Sequence, residues 1–206
     1  LGIIIGVSSV IILMSVGQGA VKGVIDELNA LGTNLIFIEP GSSDESGQKG
    51  AAGSAITLTR EDGEAIIEAQ IPDVVYVTSM IDFGAQAITP SNNVGVQVVG
   101  TESRYSIMRG LNLSEGRFID EDDVDKKALN MVLGHTISEQ LFPEDSPVGK
   151  NVRLSIAGGR IIFNFRVVGV TSERGAGVGV DDDNAVFIPV STLQARISFI
   201  KNPTGE

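Results

Sequence analysis

The chain opens with sixteen residues, Leu1–Val16, that carry no charge. A bilayer span needs about 20 apolar residues at a rise of about 1.5 Å each, so this run falls short of one. It is long for a signal-peptide core, lacks a positive leading region, and has no evident A-x-A-like cleavage site. The first residue is Leu1, not Met. The expectation is therefore a sequence that begins inside a membrane helix, with a buried helix of a soluble domain as the alternative.

The text that follows continues the helical period. Val21, Val24, Ile25, Leu28 and Leu31 form one stripe, while Lys22, Asp26, Glu27 and Asn29 take the other face. Gly32 suits the stop. Residues 1–31 are thus predicted as one helix, lipid-facing first and half-buried later, with Gly17 and Gly19 marking the exit from the bilayer. Gly2 and Gly6 make a G-x-x-x-G with Ser9 on nearly the same face. Small residues permit close helix packing in lipid, though glycine is also simply common in membrane helices.

Charge and composition exclude several partners. A formal net charge of −11 argues against nucleic acid, whose binders present basic surfaces, and against charge-driven docking on anionic lipid. With no cysteine, no disulfide, thiolate nucleophile or Cys-based zinc site can exist.

Beyond the helix the pattern is α+β. Asn34–Ile38 is predicted as a strand, followed by a Gly/Ser-rich loop over 41–55. Thr59, with Asp62 three residues on, should cap a helix over about 60–70 that buries Ala65, Ile66 and Ala69. β-branched runs at 74–79, 83–89 and 94–101 predict three strands. Tyr105, Ile107, Met108 and Leu111 suggest a short helix, and 120–127 reads as a charged stretch. Then come a buried strand at 130–133, a helix over 135–142, and a hairpin of 151–156 with 161–170. A Gly/Asp loop over 172–184, a strand at 185–188 and a helix over about 191–197 complete the reading. The apolar run 197–200 looks like a further strand cut short by the end of the text.

Candidate chemistry is sparse. The single histidine, His135, starts a short helix, and no G-x-S-x-G nucleophile elbow occurs. The acidic runs Asp120–Asp125 and Asp181–Asp183 fail the calcium-loop spacing and read as solvated loops. Gly149-Lys150 lacks the upstream glycine spacing of a phosphate loop. Without Trp, a sugar-cleaving pair of carboxylates has little to stack its substrate on. No catalytic, cofactor-binding or metal residue is expected, and no enzyme. Loops 41–55 and 172–184 are candidate contact surfaces, because loops on rigid scaffolds often carry binding.

Several stretches nevertheless resemble one family in order and spacing. LGIIIGVSSVIILMSVGQGA and LGTNLIFIEPG (31–41) are similar to the first membrane helix and first strand of MacB-type ABC transporter permeases. VVGTESRY (98–105), EGRFIDEDD (115–123), VLGHTISEQLFPEDSPVGKNV (132–152), FRVVGVTSE (165–173) and DDNAVFIPVSTLQARI (182–197) resemble its periplasmic core domain. The resemblance implies a membrane helix with its outward extension over 1–32. It implies the first half of a porter-like α/β subdomain over 33–101 and an inserted Sabre-like α/β subdomain over 102–190. Residues 191–206 would return toward the porter part. It further implies a location in the inner (cytoplasmic) membrane, with residues after about 20 extracytoplasmic. The implied partners are an ABC ATPase domain or subunit, a second permease subunit, membrane lipid and an adaptor of the membrane-fusion type. The implied work is relay of ATP-driven movement to export of macrolides, peptides or lipoproteins by mechanotransmission, with ATP hydrolysed elsewhere. The competing expectation is a membrane-anchored binding or adhesion domain with no transport role.

Overall fold

The computed structural model describes residues 2, 6–11, 13–15, 17–19, 35–40, 58–156, 158–175 and 181–196. The described residues between 2 and 19 are helical and exposed, and Val7, Val10, Ile11, Leu13 and Met14 turn apolar side chains outward. Among the described residues, no helix is long and apolar enough to cross a membrane. Residues 20–34, the loop 41–55 and the run 197–200 lie outside the described residues.

Seven strands form one mixed sheet, preceded by helix α1 (Arg60–Glu68). Strand β1 (Ile81–Ile88) turns through Thr89–Asn92 into β2 (Asn93–Thr101), pairing Ile81 with Gly100 and Ile88 with Asn93. The Thr89 hydroxyl accepts the Asn92 N–H at 3.0 Å, and the Thr89 N–H donates to the Asn92 carbonyl at 2.9 Å, which closes that turn. Helix α2 (Tyr105–Arg109) ends at Gly110 in the left-handed region. Strand β3 (Leu113–Gly116) and helix α3 (Glu121–Asp125) follow, then β4 (Asn130–Leu133) and helix α4 (His135–Leu141). The hairpin is β5 (Asn151–Ile156) with β6 (Ile161–Thr171), and a 3-10 turn (Asp182–Asn184) leads to β7 (Ala185–Pro189) and helix α5 (Val190–Arg196).

The order is β3-β6-β4-β7-β2-β1-β5, and β5 pairs back onto β6. Six strands therefore close into a ring, and β3 extends β6 beyond it. β2 and β7 run parallel, as do β4 and β6; the other neighbours are antiparallel. Closure removes free edges, which are otherwise templates for aggregation.

The period of two decides what each side buries. Val98, Met131, Leu133, Val186 and Ile188 point to one cluster, which also takes Val152, Leu154, Phe165 and Val167. Ile137 and Leu141 of α4 and Leu193 of α5 join it. Their alternates Val99, Val132, Ala185 and Phe187 meet Tyr105, Phe118, Ile119 and Val124 on the opposite side. Strands covered on both faces read as near-continuous apolar runs, as these do.

Two short elements were hidden in the sequence. The charged stretch contains α3, started by Asp120, whose carboxylate accepts the Asp123 N–H at 2.9 Å. β3 is four residues long and stands only because the end of β6 pairs with it.

The expected strand over 74–79 is absent: the chain there is irregular and Val75 is 76% exposed. Gln70 and Asp73 take positive φ values of 47° and 67°, which redirect the chain, and no described strand lies beside it. The described part of the expected strand 34–38 is also irregular, with Ile36 85% exposed. Without a ladder partner, β-branched residues alone do not make a strand. Helix α1 starts as predicted, with the Thr59 N–H and hydroxyl both donating to Asp62 Oδ2 at 2.8 and 3.1 Å. Its burial does not follow the prediction, for Ala65 and Ala69 are exposed and Ile66 only half-buried. The helix rests on an irregular segment through Gly63 and Val77 rather than on a sheet.

Candidate functional site

The base of the Gly/Asp loop is densely tied by hydrogen bonds and ion pairs. Asp181 stays at the surface, accepting the Asp183 N–H at 3.2 Å and Asn184 Nδ2 at 2.7 Å, which sets the 3-10 turn. That turn aims Asp182 and Asp183 inward, where they are 2% and 6% exposed. Asp182 Oδ2 accepts from Arg109 Nη2 at 2.8 Å and from Arg174 Nη1 at 2.9 Å. The Asp183 carboxylate accepts the backbone N–H groups of Arg174 at 3.1 Å and Gly175 at 2.7 Å. Two consecutive carboxylates thus hold the outgoing end of β6 against the incoming end of β7. Gly134 makes room for this, since a Cβ there would lie 2.5 Å from the carbonyl oxygens of Asp182 and Asp183.

The electrostatics are those of a dry site. Burial pushes the Asp182 carboxyl upward, opposed by the charges and hydrogen bonds of Arg109 and Arg174. Tyr105, on the same side, has its hydroxyl pushed well above its ordinary range, first by burial and then by the charge of Asp182. Its ring packs 5.7 Å from that of Phe187.

A second carboxylate–guanidinium pair sits at α3. Asp123 accepts from Arg117 Nη1 at 2.6 Å and Nη2 at 3.1 Å, and from Asn130 Nδ2 at 2.7 Å. Burial raises the Asp123 carboxyl, but these donors outweigh it and leave it below the usual carboxylate range. The acidic runs are therefore not simply solvated loops: Asp123, Asp182 and Asp183 are buried and accept from donors, although Asp182 Oδ1 itself has no hydrogen-bond partner among the described residues. Such carboxylates are spoken for, and among the described residues no group of three acidic or imidazole side chains could hold a metal.

Helix α2 connects this base to the two irregular apolar segments. The Arg109 guanidinium lies 6.0 Å from the Phe37 ring centroid, and that of Arg104 lies 5.5 Å from Tyr76. Cation–π contacts of this length are modest but directional. Around them Ile36, Ile38, Ile67, Ile71, Val74 and Val75 remain exposed, an apolar flank larger than scattered surface residues explain.

The predicted site residues fall elsewhere. Gly2, Gly6, Ser9, Gly17 and Gly19 are all helical and exposed, and a Cβ on any of these four glycines would meet open space. His135 Nε2 lies 3.5 Å from Glu139 Oε1, one turn along α4, and forms a surface pair. Of the two candidate loops, the ends 172–175 and 181–184 belong to the buried charge knot; 41–55 lies outside the described residues. Sequence reasoning missed Arg109 and Arg174 as the partners of Asp182. The only available signal was the acidic triplet itself.

A closed mixed sheet with its loop base tied by buried ions is what the described residues define, and comparison with known proteins assigns its family. Residues 1–205 match the MacB-like periplasmic core domain, and the chain belongs to that family. It is 35% identical over 204 residues to the macrolide export ATP-binding/permease protein MacB of Marinobacter nauticus, covering 96% of this chain and 29% of that protein. The MacB of Azoarcus sp. is 33% identical over 210 residues, covering 99% and 30%. The chain thus spans under a third of the length of these relatives. In fold it is similar to the periplasmic region of MacB from Actinobacillus actinomycetemcomitans, with a TM-score of 0.58 at 20% identity over 76% of this chain and 65% of that one. The extracellular domain of the transporter YknZ from Gram-positive bacteria gives 0.55 at 22% identity, over 70% and 68%.

Proposed function

We propose that this chain is the outer core domain, with the first membrane helix, of an ABC transporter permease subunit that exports or extrudes its substrate. The observation that carries the reading is family membership across 1–205. The outward-facing Val7, Val10, Ile11, Leu13 and Met14 support it, because such a helix surface belongs in lipid. The helix spans the inner membrane and residues after about 20 lie outside. ATP is hydrolysed on an ATPase domain or partner subunit, and two permease subunits work together. The named activity of the relatives makes a macrolide the first substrate to try.

Movement travels by mechanotransmission. A helix over 1–31 is a rod of about 45 Å at 1.5 Å per residue. Gly2, Gly6 and Ser9 form its packing face within the bilayer, and Gly17 and Gly19 sit where it leaves. Residues 33–101 supply the first part of a porter-like subdomain and 102–190 a Sabre-like one, joined by the sheet that runs through β2 and β7. The apolar flank around Ile36 and Val75 is where the rest of the porter part, and beyond it an adaptor, would seat.

Replacing Gly17 or Gly19 by proline in the whole permease tests the lever. Proline inside a helix costs about 3 kcal/mol locally and kinks it. The expected result is ATP hydrolysis without transport, with the outer domain still folded. Unchanged macrolide export in both variants overturns the lever.

A further inference from the structure

The chain is acidic, yet residues 146–172 contain Lys150, Arg153, Arg160 and Arg166 and no Asp or Glu. The fold places three of these on one side of the β5–β6 hairpin. Arg153 stands opposite Asn164, and Asn151 opposite Arg166, so Arg153 and Arg166 are diagonal neighbours. Cβ atoms so related are about 7 Å apart, close enough for two guanidinium groups to serve one ligand segment. Arg160 enters β6 from the turn. Asn151, Arg153, Arg160, Ile162, Asn164 and Arg166 are all exposed, while their alternates Val152, Leu154 and Phe165 fill the core. No carboxylate among the described residues pairs with Arg153, Arg160 or Arg166. Lys150 is already held by Asp145 at 2.8 Å.

We infer that this arginine face docks an acidic segment of a partner protein. Three features select that occupant. Arginine forks match carboxylates bidentately, and two asparagines beside them supply further donors. The face is open and built on strands, so it offers a line of contacts and no enclosure for a small free anion. A net charge of −11 disfavours approach to an anionic bilayer, but a local basic strip still steers a flexible acidic chain. Along the ladder β5 is hydrogen-bonded to both β1 and β6. The partner is therefore read by side chains and not by strand addition. Exposed Ile162 at the centre gives the strip an apolar contact point. The inference stands whether or not the transport reading holds.

The test uses the full chain and a fluorescein-labelled peptide of ten residues rich in glutamate, with binding followed by anisotropy. The expected result is saturable, salt-sensitive binding that weakens about tenfold in an Arg153→Gln, Arg160→Gln, Arg166→Gln variant. A control with the same change in net charge, Lys126→Gln, Lys127→Gln, Arg196→Gln, should keep its affinity within about twofold. Thermal melting of both variants checks that the fold survives. No binding by the parent chain overturns the inference, as does an equal loss in both variants. Equal binding of inorganic phosphate or of phosphatidylglycerol vesicles, lost in the same variant, would assign the face to a phosphate ligand and also overturn it.

Discussion

Asp182 receives two guanidinium groups from parts of the chain that are far apart in sequence, Arg109 being 73 residues away. Breaking a buried pair by removing one partner strands the other charge, which costs about 3–5 kcal/mol. Arg109→Met leaves Asp182 with Arg174 alone and should destabilise the chain by about 3 kcal/mol in urea unfolding, more than Arg109→Lys, which keeps the charge. Asp123 predicts a pH effect. Its folded pKa is depressed, chiefly because donation from Arg117 and Asn130 outweighs the cost of burial. The stability it contributes is present above its unfolded pKa of about 3.9 and is lost as pH falls through the lower folded value. Melting temperatures measured from pH 7 downward should show Asp123→Asn well below the parent at neutral pH. The gap should narrow as pH falls below about 4 and close once the pH lies under the depressed folded value. At this scale the sequence was a poor guide. A charge count sees three aspartates in a row but not the arginine that the fold brings from α2, so burial of Asp182 and Asp183 was invisible.

Between elements, β3 clasps β6 at close backbone approach. β6 carries one extra residue where Val132 pairs with Gly169 instead of Val168. At that bulge the Arg117 N–H donates to the Val168 carbonyl at 2.9 Å. A Cβ on Gly169 would stand 2.2 Å from the Arg117 carbonyl oxygen, and Gly116, at φ 74°, would set one 2.2 Å from that of Val168. Two backbones pass here with no room for side chains. Gly169→Ala should cost about 3 kcal/mol and release β3 and α3 first, seen as faster amide exchange over 113–125. The same contact gives EGRF (115–118) and VVG (167–169) a physical role: each supplies one side of the clasp. Elements with their own period were legible, above all the β5–β6 hairpin and β2. β3 was not, because four residues carry no period and its stability comes from the neighbour.

At the scale of the whole molecule, the described residues divide into a sealed ring and an open flank. In the ring, every strand of the closed circuit has a partner on both sides over part of its length. On the flank, residues 35–40 and 71–80 expose Ile36, Ile38, Ile71, Val74 and Val75 and meet helix α2 through Phe37 on Arg109 and Tyr76 on its N-cap Arg104. The β-branched sequence at 74–79 predicts a strand that the structure does not form. A strand, however, is a property of a pair, and the pair is missing among the described residues. Amides at 74–79 should therefore exchange near the rate of an unfolded peptide in this chain, while Val96–Gly100 exchange only on global opening. In a permease of the relatives' full length, completion of the porter part would pair the 74–79 segment and slow those amides by on the order of a hundredfold or more. Amide exchange read by mass spectrometry on both proteins decides this. Equal, fast exchange at 74–79 in the longer protein would mean that the apolar flank serves another partner and not the chain's own continuation.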